Sequence, residues 1–268
     1  MNLSSNHQNG HSLNSVSIAI REEQAKADNL PPTEAEVAVE LPLQPMAPNP
    51  NRNHPWRSYR DIGCNQWELD RMGMTNLGNV YRNLSVAELV EHAIQRGEGV
   101  LAANGALCVK TGQYTGRSPN DKFIVDEPSS REEVHWNKEN RPISQGTFDQ
   151  LYYRILSYVQ GRDLYIFDGF VGADPQYRRG VRIITELASE SMFAQQLFVR
   201  PTADELERHF ADFTVIAVPG LKGDPNIDDG INSEAFIVLH FAKRLVIIGG
   251  SRYAGEIKKS VFSLMNYF

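Results

Sequence analysis

The chain has 268 residues, 41% of them hydrophobic and 22% charged, with a formal net charge of -6. That balance fits one large or two smaller globular domains and argues against a nucleic-acid binder held by a broad basic face, though not against a local cluster of cations around a small anion. The two cysteines, Cys64 and Cys108, sit in no CxxC or Cys/His spacing, no apolar run approaches the roughly 20 residues of a membrane span, and the N-terminus lacks the basic start and apolar core of a secretory signal; these features argue against a disulfide framework, a zinc site and membrane insertion, and fit a reducing cytoplasm.

Residues 1 to about 58 read as a tail, with seven of the 14 prolines and no phenylalanine. Such a composition buries too little apolar surface to offset the entropy of ordering, so disorder is expected there, with a short helical pattern only at "SIAIREEQAKA". Order is expected from near Tyr59. "NLSVAELVEHAIQRGEG" is the clearest helix: Ser85 and Glu88 make a capping box, Val86, Leu89, Val90, Ala93 and Ile94 share one face, and Gly97 ends it. "VLAANGALCVKTG" reads as two strands turned at Asn104-Gly105, and "KFIVDEP" as a further strand. "TFDQLYYRILSYVQG" reads as an amphipathic helix and "DLYIFDGFVGAD" as the strand after it. "VRIITELASESMFAQQLFV" reads as one long, mostly buried helix stopped near Arg200-Pro201, and "TADELERHF" as a helix capped by Thr202. "FTVIAVPG", "EAFIVLHFA" and "RLVIIGG" are β-rich runs, and "YAGEIKKSVFSLMNYF" is a closing helix. Phe268 follows an apolar helical pattern without a C-cap glycine or polar exit, so the chain is expected to continue. Strands and helices mix without strict alternation, which predicts an α/β fold with a mixed sheet.

Two segments carry candidate chemistry. In "TGQYTGRSPNDKF", residues 111–123, Arg117 sits on a glycine turn. Its planar fork stays charged at any working pH and suits a carboxylate, and Gly116 would let a ligand approach the backbone. A solvated surface turn is the competing reading. In "GGSRYAGEIKK", residues 249–259, two glycines follow an apolar strand and precede Arg252, Tyr253, Lys258 and Lys259. Lysines in the first turns of a helix oppose its dipole, so an adjacent pair there points to a compensating anion or metal; an exposed lysine pair is the alternative. No GxxxxGK[ST] occurs, so these residues contain no P-loop. Asp168 and Asp174 read as turn residues or metal ligands, Arg182 as the anchor of a buried helix, and Asn232 and Ser233 as structural.

Taken together, "NLSVAELVEHAI", "GALCVKTGQYTGRSPNDKFIVDEP", "FVGADPQYRRGVRIITE", "LFVRP", "DDGINSEAFIV" and "IIGGSRYAGEIKKSVFSLMNY" run in the order found in ATP-dependent phosphoenolpyruvate carboxykinases. The chain resembles the N-terminal part of that family over roughly residues 70–268, with Asn120 where the family usually has lysine. The resemblance implies a tail over 1–58, a mixed-sheet N-terminal domain over 59–245, and the start of a nucleotide-binding domain over 246–268. It implies conversion of oxaloacetate and ATP to phosphoenolpyruvate, carbon dioxide and ADP, a step of gluconeogenesis, in the cytoplasm, with ATP, Mn2+ and Mg2+ as cofactors, a small-molecule substrate, and neither nucleic acid nor membrane as partner. By motif match, Arg117 would bind the substrate carboxylate and Tyr253 would lie against the substrate and departing carbon dioxide. Lys259 would ligate manganese and reach the γ-phosphate, with Lys258 beside it in the catalytic set. Because the family's P-loop, remaining metal ligands and adenine pocket fall past Phe268, the alternative expectation is an inactive fragment with at most weak dicarboxylate binding.

Overall fold

The computed structural model describes residues 69–268. The expected tail, its short helical pattern and the start of order near Tyr59 lie outside the described residues. Eight strands form one mixed sheet, in spatial order β1 (Val80–Arg82), β6 (Leu164–Val171), β7 (Arg179–Thr185), β8 (Phe213–Val218), β10 (Leu245–Gly249), β9 (Phe236–His240), β4 (Lys122–Val125) and β5 (Arg141–Ile143). The strands β2 (Gly99–Leu101) and β3 (Leu107–Val109) make a separate antiparallel hairpin through Asn104-Gly105, where Gly105 takes φ +83°. The expected α/β class with a large mixed sheet is therefore what the chain adopts. Only β6/β7 and β10/β9 pair antiparallel within the large sheet. That pattern gathers the C-terminal ends of β7, β8 and β10 with the N-terminal ends of β6, β9 and β4 along one edge.

Helices cover both faces. Helix α2 (Gln145–Tyr158) packs Phe148, Leu151 and Ile155 against Val125, Ile216, Val218 and Ile247 on one face. Helix α5 (Gly255–Tyr267) packs Ile257, Val261 and Leu264 against Val215, Ile237, Val246 and Ile248 on the other. Each fully buried Phe or Leu contributes about 1.5–3 kcal/mol relative to exposure. Helix α1 (Val86–Gln95) begins with the expected capping box between Ser85 and Glu88, and α4 (Ala203–Glu207) with one between Thr202 and Glu205. Among the described residues no helix is long and apolar enough to cross a membrane.

Strands β1 and β5 were not foreseen in the sequence, and one foreseen element changes type. The stretch expected as a single long helix is strand β7 followed by helix α3 (Ala188–Leu197). With helices over both sheet faces, a central strand is buried on both sides, and every residue from Gly180 to Thr185 is buried, so β7 shows no alternation. Its β-branched run suits a strand better than a helix. Helix α3 has no side-chain cap of its own at Leu187. Glu98 takes that place from 90 residues earlier, its carboxylate accepting from the Ala188 N–H at 3.1 Å and the Ser189 N–H at 2.8 Å.

Candidate active site

The sheet edge defined above carries both candidate motifs. The turn bearing Arg117 leads through a short 3-10 helix, Pro119–Asp121, into β4, whose first residue, Lys122, pairs with Ile237 of β9. After β10 the chain bends at Gly250 and enters α5. Gly250 has φ +69°, and a Cβ there would strike the backbone of Glu234 and Ala235, so glycine is required by the close passage of the segment before β9. At Gly116, by contrast, an added Cβ would meet no atom within 4 Å, and the close approach expected of that glycine is not a demand of the fold.

Glu256 in the first turn of α5 joins the two motifs. Its buried carboxylate accepts from the Ser118 backbone N–H at 2.6 Å, fixing the turn beside Arg117 to the start of α5. A second clamp comes from the segment before β9. Ser233 Oγ donates to the buried Asp121 carboxylate at 2.9 Å, and Asn232 Nδ2 donates to the Asn120 carbonyl at 2.6 Å. Arg141 donates to the same carbonyl and to Asn120 Oδ1, both at 3.0 Å. The asparagine at 120 thus serves as a backbone and side-chain anchor for Arg141.

Between the turn, α5 and residues 133–140 lies a cleft of about 430 Å3 whose lining includes Arg117, Lys122, Glu256 and Lys259. Arg117 and Lys259, 142 positions apart in the sequence, share it. None of its three cations, Arg117, Lys122 and Lys259, has a carboxylate oxygen within salt-bridge distance among the described residues. Lys122 Nζ donates to Asn140 Oδ1 at 3.3 Å, and Lys259 Nζ lies 4.5 Å from the centre of the Phe262 ring. Burial, then the charges of Arg117 and Lys259, lower the pKa of Lys122 against the opposing pull of Glu256. Burial raises that of Glu256, opposed by the Ser118 N–H and by Arg117. Cations that crowd each other with no carboxylate in salt-bridge reach among the described residues concentrate positive charge in the cleft.

Residues 78–268 match the family model described as phosphoenolpyruvate carboxykinase. The chain belongs to the phosphoenolpyruvate carboxykinase family. It is 60% identical over 199 residues to the phosphoenolpyruvate carboxykinase (ATP) of Caldanaerobacter subterraneus, covering 74% of this chain and 38% of that protein. It is 56% identical over 203 residues to phosphoenolpyruvate carboxykinase (ATP) 1 of Moorella thermoacetica, covering 76% and 38%. The match to the Alkaliphilus oremlandii protein of the same name is 50% over 200 residues, covering 75% and 38%. The chain therefore spans about 38% of the length of these curated relatives.

Within this chain the other candidate residues take different places. Lys258 is exposed and Tyr253 half-buried, and neither is on the cleft lining; the Tyr253 ring lies over Gly255. Asp168 is neither a turn residue nor a metal ligand. It lies in β6, fully buried, with Arg82 Nε at 2.7 Å and Arg182 Nε at 2.8 Å from its two oxygens. Those guanidinium groups outweigh its desolvation and hold its pKa below the usual carboxylate range. Arg182 accordingly anchors a strand, not a helix. Asp174 is a turn residue, accepting from the Gln176 N–H at 2.9 Å. Among the described residues no three His, Cys, Asp or Glu side chains gather where a metal could sit. Sequence reading passed over Lys122 and Glu256 as cleft residues. The partner of Glu256 is a backbone N–H far off in the sequence, and Lys122 was hidden as the opening residue of a strand.

Proposed function

We propose that this chain supplies the substrate-carboxylate half of a phosphoenolpyruvate carboxykinase, the enzyme that converts oxaloacetate and ATP to phosphoenolpyruvate, carbon dioxide and ADP. The observation that carries the reading is the convergence of Arg117, Lys122 and Lys259 on one cleft, none with a carboxylate in salt-bridge reach among the described residues. Loss of carbon dioxide from oxaloacetate leaves an enolate, and its attack on a γ-phosphate moves further negative charge, so fixed cations lower both barriers. In this reading the Arg117 fork holds a substrate carboxylate, Lys122 and Lys259 face the developing enolate oxygen, and Glu256 keeps the Arg117 turn at a fixed place against α5. Tyr253 and Lys258 belong to the same end of the site, and residues 246–268 open the part of the enzyme that takes the nucleotide. ATP would supply the phosphoryl group. A manganese ion would supply charge neutralisation with Lys259 as one ligand, but the described residues alone do not complete a metal site.

A second reading, anion binding without turnover by these 268 residues, is favoured by the 38% span of the relatives and by the absence of a GxxxxGK[ST] segment. One experiment addresses both. The chain is titrated with phosphoenolpyruvate by calorimetry and assayed with oxaloacetate, ATP, Mg2+ and Mn2+. Saturable binding weakened about tenfold or more by Arg117→Ala, a loss of about 1.4 kcal/mol, supports the carboxylate site; binding indifferent to Arg117→Ala overturns it. Turnover in the assay would overturn the second reading.

A further inference from the structure

We propose that Ser233 is a positioning residue that holds the Arg117 turn on both of its flanks and so sets the affinity of that turn for a carboxylate. The inference rests on the carboxylate-binding reading of Arg117 and adds to it a residue that is not on the cleft lining.

The turn needs outside support. Thr115, Arg117, Pro119 and Asn120 are exposed, and a Cβ at Gly116 would meet no atom within 4 Å, so packing does little to fix the guanidinium. The turn's own backbone contributes a bond from the Asp121 N–H to the Ser118 carbonyl at 3.0 Å. A fork that wanders has to be ordered when the ligand arrives, and that cost is subtracted from the affinity.

One hydroxyl reaches both flanks. Ser233 Oγ donates to Asp121 Oδ1 at 2.9 Å, after Arg117 in the sequence, and lies 3.4 Å from the Tyr114 hydroxyl, before it. A serine hydroxyl has a single proton and two lone pairs. With the proton given to Asp121, Tyr114 is the donor in the second contact, and the remaining lone pair accepts from the Ala235 N–H at 3.1 Å. The side chain of Ser233 is therefore fully used, mostly on the Arg117 turn. Asp121 is 6% exposed, and burial pushes its pKa up, opposed by Ser233, then by Arg141 and Ser118. That buried acid explains a donor at Asp121 but not the reach across to Tyr114.

Ser233 is itself held in place. Gly250 passes Glu234 and Ala235 so closely that a Cβ there would strike their backbone, and Phe236 pairs with Gly249 across β9 and β10. The Glu234 carbonyl accepts from the Gly223 N–H at 2.8 Å, and Ala235 is fully buried. Ser233 is thus set against the bend from which α5 starts. Glu256 fixes the middle of the turn to α5 through Ser118, and Ser233 fixes the flanks to the bend that precedes it.

The test titrates the whole 268-residue chain with phosphoenolpyruvate by calorimetry, each variant first shown to unfold cooperatively in urea. Ser233→Ala should weaken binding about fivefold or more, and Ser233→Thr, which keeps the hydroxyl, should hold it within about twofold of wild type. Tyr114→Phe removes only the second contact and leaves Asp121 its donor; it should weaken binding about threefold. A serine that merely satisfied a buried acid would leave Tyr114→Phe at wild-type affinity. The same variant decides the matter if Ser233→Ala fails to fold. Wild-type affinity in Ser233→Ala or in Tyr114→Phe, or a loss in Ser233→Thr equal to that in Ser233→Ala, would overturn the proposal. Failure of the underlying reading looks different: the wild-type chain then shows no Arg117-dependent binding, which overturns both.

Discussion

Arg82 and Arg182 close on Asp168 inside the sheet, whereas Arg117, Lys122 and Lys259 stand around an open cleft with no carboxylate in salt-bridge reach among the described residues. Both regions concentrate positive charge between strands. In the first, an acid that is 0% exposed takes up the charge, and the cluster holds β1, β6 and β7 together. In the second, the buried acid on the lining, Glu256, accepts a backbone N–H from the turn that carries Arg117, so the positive charge stays uncancelled. Residue type alone does not separate neutralised from unneutralised cations; what separates them is where the nearest carboxylate points.

That contrast can be broken by substitution. The largest effect belongs to the closed cluster. Asp168→Asn leaves two guanidinium groups facing a neutral amide in the interior, and the cost of uncovering a buried pair is about 3–5 kcal/mol, to be read from urea unfolding. Glu256→Ala comes next, because it leaves the Ser118 N–H without its acceptor, a loss of about 1–3 kcal/mol, and frees the Arg117 turn. Hydrogen exchange at Ser118 should speed up while exchange in β6 and β7 does not. If β6 and β7 loosen equally, the turn is not an independently anchored piece.

A subtler effect concerns Glu190, fully enclosed, with Oε2 unpartnered and Glu186 and Glu98 nearby. Burial first, and then those two carboxylates, raise its pKa well above the ordinary value, with Arg252 opposing. The folded chain thus holds a proton that the unfolded chain releases above pH about 4.3, so stability is full below that pH and declines as pH rises toward the folded pKa. Glu190→Gln should flatten this decline, raising Tm at pH 8 and leaving it near wild type at pH 4. An equal shift at both values would sink the assignment. The smallest stability effect is expected of Arg117→Ala, within about 0.5 kcal/mol, although the proposed carboxylate binding should weaken about tenfold. A large loss of stability there would erase the distinction between the two regions.

Much of the fold was legible where local chemistry is self-contained. Ser85 and Glu88 announce α1, Thr202 and Glu205 announce α4, and Asn104-Gly105 marks the hairpin, because each signal lies within four residues. Strand β7 was not legible, since burial on both faces erases its period of two. Strand β5 was hidden by Pro142, which is tolerated only because β5 is the edge of the sheet. In the site, Arg117 and Lys259 announce themselves by their glycine-turn settings. Glu256 does not, because its partner is a backbone N–H 138 positions away. Nor does sequence separate Asp168 from a metal ligand, since its two arginines come from different strands.

The Ser118–Glu256 bond also sets a clock. At synthesis rates of about 5–20 residues per second, those 138 intervening positions take roughly 7–28 seconds to appear. Over most of that time β4 lacks its neighbour β9, and the turn carrying Arg117 lacks its anchor. The cleft therefore closes well after the turn that lines it is made, and a growing chain carries the cationic turn long before α5 can fix it in place.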